Sequence, residues 1–201
     1  MQLHTANTQI PYLRSMDYDR IKWNSRHEAK EGFKSPDSFL IRQQPNLQKG
    51  KALDIACGRG RNSFFLSSAG FNVTAVDLSE TGLLHLNEEA IRRGLDISTH
   101  QIDLDEPAPL LKHALFDTII CINFKPQLPL LQLIPQLLTN GGTFLWCSFN
   151  EEQVKITTFP VEKALHSSEF VDFFQDLQLL VYERFIDESG RRDGYLFRKI
   201  V

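Results

Sequence analysis

The sequence has few cysteines, and their spacing excludes the sites that cysteines most often build. Cys57, Cys121 and Cys147 are the three cysteines of the chain, and no two of them stand in a CxxC arrangement. An odd number of widely separated thiols argues against a disulfide framework and against a thiolate zinc site. The six histidines are also scattered, without an HxxxH or HxH pair. We therefore expect no metal site.

Long apolar runs and a strong net charge are missing as well. No stretch approaches the roughly 20 apolar residues that cross a bilayer, and residues 1–11 lack the apolar segment of a signal peptide. The 22 Lys and Arg stand against 25 Asp and Glu, for a formal net charge of -3, and basic residues cluster only in small pairs. We therefore expect a cytoplasmic protein with neither a membrane nor a nucleic acid as partner.

The pattern of apolar residues predicts an α/β fold. The chain has 201 residues, 42% of them hydrophobic and 23% charged, as is typical of one globular domain. Strand-like segments alternate with helical ones from about residue 50. Predicted strands cover residues 51–55, 71–76, 97–104, 116–124, 143–149, 179–186 and 195–200. Predicted helices cover residues 62–69, the stretch between Ser79 and Gly94, and residues 128–138 and 167–177, with a turn at 140–142.

Such alternation implies a single doubly wound, mostly parallel seven-stranded sheet with helices on both faces. The last two predicted strands have no helix between them, so they should form an antiparallel hairpin around a turn at residues 187–193. Residues 1–49 contain two short predicted helices, one over residues 16–24 and one beginning at Ser35-Pro36. We expect them to form a helical cap within the same domain as the core of residues 50–201.

A glycine-rich turn follows the first predicted strand. In an open α/β sheet, ligands bind outside the carboxyl ends of the strands. Gly58 and Gly60 would let the backbone approach such a ligand closely. Asp77 ends the second predicted strand, 17 positions after Gly60. A carboxylate at that place can accept two hydrogen bonds from a ribose diol, so this edge of the sheet is a candidate nucleotide site.

Two kinds of cofactor carry a ribose that could bind there. A dinucleotide needs the pattern G-x-G-x-x-G, but Ser63 stands at the third glycine, and Asp54 would repel a pyrophosphate. S-adenosylmethionine has no phosphate, and its ammonium could be positioned by Asp54. The charge pattern therefore favours S-adenosylmethionine, with an NAD-dependent oxidoreductase as the alternative.

Three segments carry a family resemblance. The sequences ALDIACGRGRNS (residues 52–63) and VTAVDLSETGL (residues 73–83) resemble motifs I and II of class I S-adenosylmethionine-dependent methyltransferases, which have a Rossmann-like fold. Upstream, WNSRH (residues 23–27) resembles a segment of the bacterial tellurite-resistance and thiopurine methyltransferase type. The resemblance covers roughly residues 17–149 and implies methyl transfer, with S-adenosylhomocysteine as the product.

The resemblance also implies roles for individual residues. The methionine portion of the cofactor would be lined by Ala56, Cys57, Gly58 and Gly60. Asp77 would bind the ribose. The adenine would be contacted by Leu78, Asp103 and Leu104. The sulfonium and the acceptor would lie beside Ile122, Asn123 and Phe124. Trp23 and Arg26 would close over the cofactor, and Arg26 would pair with its carboxylate.

The acceptor side departs from the family pattern. Phe124-Lys125-Pro126 stands where relatives often have an aromatic residue or His followed by Arg-Pro, and residues 150–166 are unfamiliar. We expect a small-molecule acceptor, such as a thiol or a chalcogen oxyanion, which needs no general base. No catalytic residue is identified, although His27 and Asp103 are candidate bases. The alternatives are a non-catalytic S-adenosylmethionine-binding domain and the oxidoreductase. The protein would be a monomer or a homodimer.

Overall fold

The computed structural model describes residues 16–29 and 32–200, without the side chain of Met16. The prediction that residues 1–11 are not a signal peptide falls outside these ranges. The helices are α1 (Met16–Glu28), α2 (Ser38–Gln43), α3 (Arg61–Ser68), α4 (Glu80–Arg93), α5 (Leu128–Leu137) and α6 (Glu151–Val154). The strands are β1 (Lys51–Ile55), β2 (Asn72–Asp77), β3 (Ile97–Gln101), β4 (Phe116–Ile122), β5 (Leu138–Phe149), β6 (Leu177–Asp187) and β7 (Gly190–Lys199).

All seven strands form one sheet, in the order β3-β2-β1-β4-β5-β7-β6. Strands β1 to β5 pair in parallel. Strand β7 is antiparallel to both β5 and β6. The predicted α/β class, the mostly parallel seven-stranded sheet and the C-terminal hairpin are confirmed. The chain leaves β1 toward β2 on one side and later returns to β4 on the other, so the carboxyl end of β1 is the switch point where ligands bind in such sheets.

Successive side chains of a strand point to opposite faces of the sheet, and they form two apolar clusters, one on each face. One cluster joins Leu53, Ile119 and Trp146 to the apolar side of α5. The other joins Ala52, Ile120 and neighbouring strand residues to α2, α3 and α4. Helix α1 packs against α4. Within the described ranges, no helix has both the length and the apolar character needed to span a membrane.

Helix ends follow local capping chemistry. Asp37 accepts a hydrogen bond from Phe39 N, so α2 begins at Ser38 and not at the predicted Ser35-Pro36. Ser79 caps α4 by accepting from Gly82 N, and Gly94 ends that helix in the left-handed conformation (φ 66°), as predicted. Helix α1 continues to Glu28, four residues beyond its predicted end, and so includes the whole WNSRH segment.

The predicted helix over residues 167–177 is wrong. Residues 167–173 form turns, residues 175 and 176 form a bend, and β6 already begins at Leu177. Ser168 has a left-handed backbone (φ 57°) and donates its N–H to Tyr182 Oη. Phe170 packs on the ring of Trp146 with the ring centroids 4.4 Å apart. Tertiary packing and side-chain hydrogen bonds therefore override the helical spacing of the phenylalanines.

Several predicted strand boundaries are also wrong. The predicted turn at residues 140–142 lies inside β5, because Thr139 Oγ1 donates to Asp117 Oδ1 (3.0 Å) and holds this stretch beside β4. The pairing of β4 with β5 is irregular there, and Gly141 has φ 76°. Strand β3 stops at Gln101, before a side-chain turn in which Asp103 accepts from Asp105 N (2.9 Å). The final hairpin turn shrinks to residues 188–189.

Candidate functional site

The turn after β1 is built from left-handed residues. Ala56 (φ 57°), Gly58 (φ 57°) and Gly60 (φ 82°) all have positive φ, and Gly60 is the N-cap of α3. Gly60 N donates to Cys57 O at 3.0 Å, which tightens the turn. A Cβ on Gly60 would lie 2.5 Å from Leu86 Cγ, so glycine is required there by space as well as by conformation. The predicted loop residues thus form one compact turn at the switch point.

Asp77 lies directly against this turn. Its Oδ2 accepts from Gly58 N at 2.7 Å, and its Oδ1 accepts from Ser79 N at 2.8 Å. The residue is only 8% exposed. A carboxylate can accept about four hydrogen bonds, so Asp77 can bind a diol as well as backbone N–H groups. The structure therefore brings the predicted ribose-binding acid and the predicted glycine loop together.

Asp54 lies beneath the loop, 1% exposed. Ser63 Oγ donates a 2.6 Å hydrogen bond to Asp54 Oδ2. Burial, together with the neighbouring charge of Asp77, raises the pKa of Asp54 from 3.8 to about 7, against the opposing effect of the Ser63 hydrogen bond. Asp54 therefore titrates near neutral pH and can respond to a cation bound at the loop.

Cys57 completes the loop as a packing residue. It is buried in the cluster that includes α3 and α4. Burial, followed by the negative charges of Asp77 and Asp54, raises the pKa of Cys57 well above its usual range. The group is therefore held as a thiol. In the part of the chain that the structure describes, no set of three or more His, Cys, Asp or Glu side chains is arranged to hold a metal ion.

A cleft of about 410 Å³ opens next to Asp77, at the ends of β2 and β3. Its lining residues are Leu78, Gln101 and Asp103 from the strand ends, Glu80 from α4, and Asp17 and Arg20 from α1. Gln101 Nε2 donates to Leu78 O at 3.1 Å and so ties the two strand ends together. Two of the predicted adenine contacts, Leu78 and Asp103, line this cleft, whereas Leu104 is buried in the core cluster with α5.

The end of β4 lies on the other side of the loop. Ile122 is buried, and the strand stops there because Asn123 has a left-handed backbone (φ 59°). Asn123 N donates to Cys147 O at 2.8 Å. Phe124 is half-buried, and its carbonyl accepts from Trp146 Nε1 at 2.9 Å. The three predicted acceptor-side residues are therefore contiguous at the carboxyl edge of the sheet, but Asn123 and Phe124 belong to a loop and not to the predicted strand.

Helix α1 meets the site through residues that sequence reasoning did not assign to the cofactor. Arg26 is exposed, and its guanidinium lies 5.0 Å from the centre of the Trp23 ring. Asn24 Oδ1 instead accepts from Ser79 Oγ at 2.7 Å. The His27 ring packs on Gly58, since a Cβ added to Gly58 would lie only 3.1 Å from His27 Cε1. Asn24 and His27 are three positions apart in WNSRH. In a helix that extends to Glu28 they lie on the same face, and this spacing could have identified them.

Arg192 was missed because it lies in the predicted hairpin turn. In the structure it belongs to β7, is fully buried, and forms ion pairs with Asp37 and Asp187. Its Nη1 also lies 3.4 Å from Asn123 Oδ1. Nearby, Lys125 Nζ donates to Ala164 O at 2.8 Å and pairs with Glu169. These cations are paired within the protein and help to fix the acceptor side of the sheet.

The strand order, the left-handed loop after β1 and the carboxylate at the end of β2 define a class I S-adenosylmethionine-dependent methyltransferase. The family model described as tellurite resistance protein TehB matches residues 27–197. The chain belongs to this TehB family, as its sequence motifs indicated.

A sequence relative agrees with this assignment, and solved structures share the fold. A probable S-adenosyl-L-methionine-dependent methyltransferase TehB from Haemophilus influenzae is 24% identical over 95% of this chain and 73% of its own length. The crystal structure of TehB from Haemophilus influenzae superposes with a TM-score of 0.69 at 21% identity, covering 88% of this chain and 67% of that one. A methyltransferase structure from Clostridium acetobutylicum has a TM-score of 0.68 at 17% identity, covering 92% and 100%. At these identities the structures show the fold alone.

Proposed function

We propose that this protein transfers a methyl group from S-adenosylmethionine to a small-molecule acceptor, such as a thiol or a selenium or tellurium oxyanion. The observation that carries the proposal is the placement of Asp77. Its carboxylate joins the left-handed loop through Gly58 N, at 2.7 Å, and stands beside the cleft of about 410 Å³. Ligand pockets of this kind usually measure about 300–1,000 Å³, so the cleft has room for a nucleoside.

The residues at the loop fit the charge and the shape of this cofactor. In our proposal the ribose hydroxyls bind Asp77, and the adenine enters the cleft between Leu78 and Asp103. The methionine portion lies over Ala56 and Gly58, where Asp54 beneath the loop provides negative potential for the ammonium. A dinucleotide fits less well, because Ser63 is engaged by Asp54 at the start of α3, where a pyrophosphate would bind. Ile122 and Asn123, at the end of β4, would lie beside the sulfonium.

Once bound, S-adenosylmethionine supplies a methyl group on a positively charged sulfur, with a neutral thioether as the leaving group. The protein then needs to hold the acceptor in line with that methyl and to exclude water. In our proposal Asn123 and Phe124 form the wall on which the acceptor is held. The left-handed backbone of Asn123 turns this wall away from β4 at the edge of the site.

The two candidate bases, Asp103 and His27, lie away from the proposed acceptor wall, and this favours an acceptor that is already nucleophilic. Asp103 follows β3, which is separated from β4 by β2 and β1. Three strand spacings amount to about 14 Å, too far for proton transfer from an acceptor at Asn123. His27 packs against Gly58 and Gly82 on the α1 side. A thiolate or a chalcogen oxyanion needs neither group, and the description of the family by tellurite resistance supports the oxyanion.

The cap, the oligomeric state and the cellular location belong to the same proposal. We treat residues 1–49 as a helical cap of the domain formed with residues 50–201, because α1 packs against α4 and because Phe39 and Leu40 of α2 are part of a core cluster. A cytoplasmic monomer or homodimer remains our expectation. Light scattering during size-exclusion chromatography would determine the oligomeric state.

The proposal is tested by titrating the protein with S-adenosylmethionine, S-adenosylhomocysteine and NAD in parallel. Binding of the two sulfur nucleotides, with no binding of NAD, supports the proposal. Binding of NAD alone would instead favour the oxidoreductase alternative. A panel of a small thiol, selenite and tellurite then follows, with the formation of S-adenosylhomocysteine as the readout. Tight binding without turnover on any acceptor would favour the non-catalytic, ligand-sensing alternative.

A further inference from the structure

The side chain of Asn24 ties helix α1 to the start of helix α4. Asn24 Oδ1 accepts hydrogen bonds from Ser79 Oγ at 2.7 Å and from Thr81 N at 3.3 Å. Ser79 is the N-cap of α4, and its Oγ accepts from Gly82 N at 3.0 Å. One amide oxygen of α1 therefore holds two residues of the turn that begins α4.

Ser79 is also bonded to the acid at the end of β2. Ser79 N donates to Asp77 Oδ1 at 2.8 Å, and Gly58 N donates to Asp77 Oδ2 at 2.7 Å. An unbroken chain of hydrogen bonds therefore runs from Asn24 through Ser79 and Asp77 to Gly58. It connects α1 to the carboxylate and to the loop that the proposed function assigns to the cofactor.

A second contact from α1 reaches the same place, one helical turn after Asn24. Cβ atoms added to Gly58 and Gly82 would lie 3.1 Å from ring carbons of His27, so glycine at both positions lets the three segments meet. Nearer the start of α1, Asp17 and Arg20 line the cleft. Helix α1 is therefore anchored at the loop and forms one wall of the space beside Asp77.

We propose that Asn24 is a positioning residue that couples the placement of α1 to occupancy of the ribose site. A diol bound to Asp77 fixes the carboxylate, and the carboxylate fixes Ser79 and, through it, Asn24. Helix α1 is then held over the cleft when the cofactor is bound. This inference rests on the proposed function. It assigns the link to Asn24 and not to Trp23 or Arg26, whose side chains stack on each other.

The coupling affects cofactor affinity more than the chemical step, because Asn24 bonds to Ser79 and Thr81 at the ribose side. The acceptor wall at Asn123 follows β4, on the far side of β1 from β2. Loss of the Asn24 bond should therefore raise the KM for S-adenosylmethionine and leave kcat nearly unchanged. A substitution that merely loosened the fold would lower kcat as well.

The test compares Asn24→Ala, which removes the acceptor oxygen, with Asn24→Asp, which keeps one. Ser25→Ala is the matched control, since Ser25 is the exposed neighbour on the same helix. Titration with S-adenosylhomocysteine should show roughly 3- to 10-fold weaker binding for Asn24→Ala, which loses the 2.7 Å bond from Ser79 Oγ and the longer bond from Thr81 N. Asn24→Asp and Ser25→Ala should stay close to the wild type. In amide hydrogen exchange, S-adenosylhomocysteine should slow residues 16–29 in the wild type and in Asn24→Asp, but not in Asn24→Ala.

Two results would overturn the coupling. One is binding by Asn24→Ala equal to that of the wild type. The other is an Asn24→Asp variant that loses as much affinity as Asn24→Ala, because the acceptor oxygen would then be irrelevant. A wild-type protein that does not bind S-adenosylhomocysteine refutes the proposed function itself, and this outcome is distinct from equal binding by the wild type and Asn24→Ala.

Discussion

Ser63 donates a 2.6 Å hydrogen bond to the buried carboxylate of Asp54, at the helix position where a dinucleotide-binding loop carries its third glycine. A glycine at this position would let the helix approach a pyrophosphate closely. Ser63 instead forms a hydrogen bond to the acid beneath the loop. The residue that replaces the third glycine is thus bonded to the acid that would repel a pyrophosphate. Both features favour S-adenosylmethionine over a dinucleotide.

The raised pKa of Asp54 predicts a dependence of stability on pH. Its pKa is about 7 in the folded protein, above the ordinary value of 3.8, because burial disfavours the charged form. The folded state then binds more protons than the unfolded state between about pH 4 and pH 7, so the free energy of unfolding should fall as pH rises through that window. Urea unfolding of the wild type and of Asp54→Asn at pH 5, 6 and 7 measures the effect.

Asp54→Asn should remove most of this slope, whereas Asp96→Asn, at an exposed position, should keep it. Binding supplies a second readout, since a bound ammonium favours the ionised carboxylate. The affinity of the wild type for S-adenosylmethionine should therefore rise from pH 6 to pH 8. If the slope and the affinity change persist in Asp54→Asn, a different group is responsible.

Asp77→Ala should weaken the binding of S-adenosylhomocysteine by about 1–3 kcal/mol, through the loss of charged hydrogen bonds to the ribose. The same change leaves Gly58 N and Ser79 N without their acceptor, so the melting temperature should also fall. Calorimetric titration below the melting temperature separates the two effects. Unchanged affinity in a folded Asp77→Ala protein would place the ribose elsewhere.

Gly60→Ala should destabilise the fold more than Gly94→Ala does. Both glycines have left-handed backbones, for which another residue costs roughly 1–3 kcal/mol. A Cβ on Gly60 would also meet Leu86 Cγ at 2.5 Å, whereas a Cβ on Gly94 meets nothing within 4 Å. The difference between the two unfolding free energies therefore isolates the collision with Leu86. Equal losses would mean that α4 can move away from the loop without penalty.

Arg192→Met should destabilise the protein by about 3–5 kcal/mol, since it removes the buried cation from Asp187 and leaves Asp37 with its ion pair to Arg61. Arg192 is fully buried between Asp37 and Asp187. The matched control is Arg42→Met, whose ion pair with Glu183 is exposed and should contribute about 1 kcal/mol or less. Chemical denaturation of both variants checks the comparison, and similar losses would contradict the burial argument.

The parallel core was predictable because its signals are local. Strand β4 has a continuous apolar run at residues 119–122, and Ser79, Gly94 and the glycine loop mark element ends near those residues. Asp77 and Gly58 could be placed together from topology, because the carboxyl ends of parallel strands meet at one edge of the sheet.

The errors occur where distant residues decide the local structure. The turns at residues 167–173 depend on Tyr182 and on the ring of Trp146, neither of which is visible in the spacing of the phenylalanines. Arg192 was assigned to a turn because β7 begins at Gly190, earlier than the apolar pattern indicates, and its ion pairs with Asp37 and Asp187 form only in the folded protein. The bond from Asn24 depends in the same way on the docking of α1 against α4.

The buried pair of Arg192 and Asp37 joins residues 155 positions apart in the chain. During synthesis, Asp37 would meet its nearer partner Arg61 early, whereas Arg192 would leave the ribosome much later. The nascent protein can therefore fold the glycine loop and β1 to β4 first, but its acceptor side becomes complete only when β7 has emerged. Contacts of such long range slow folding, because the intervening chain must be ordered before they form. A truncation that removes the last hairpin would remove Arg192 from Asp37 and leave the acceptor side of the sheet incomplete, and such a fragment would be a target for chaperones or proteases.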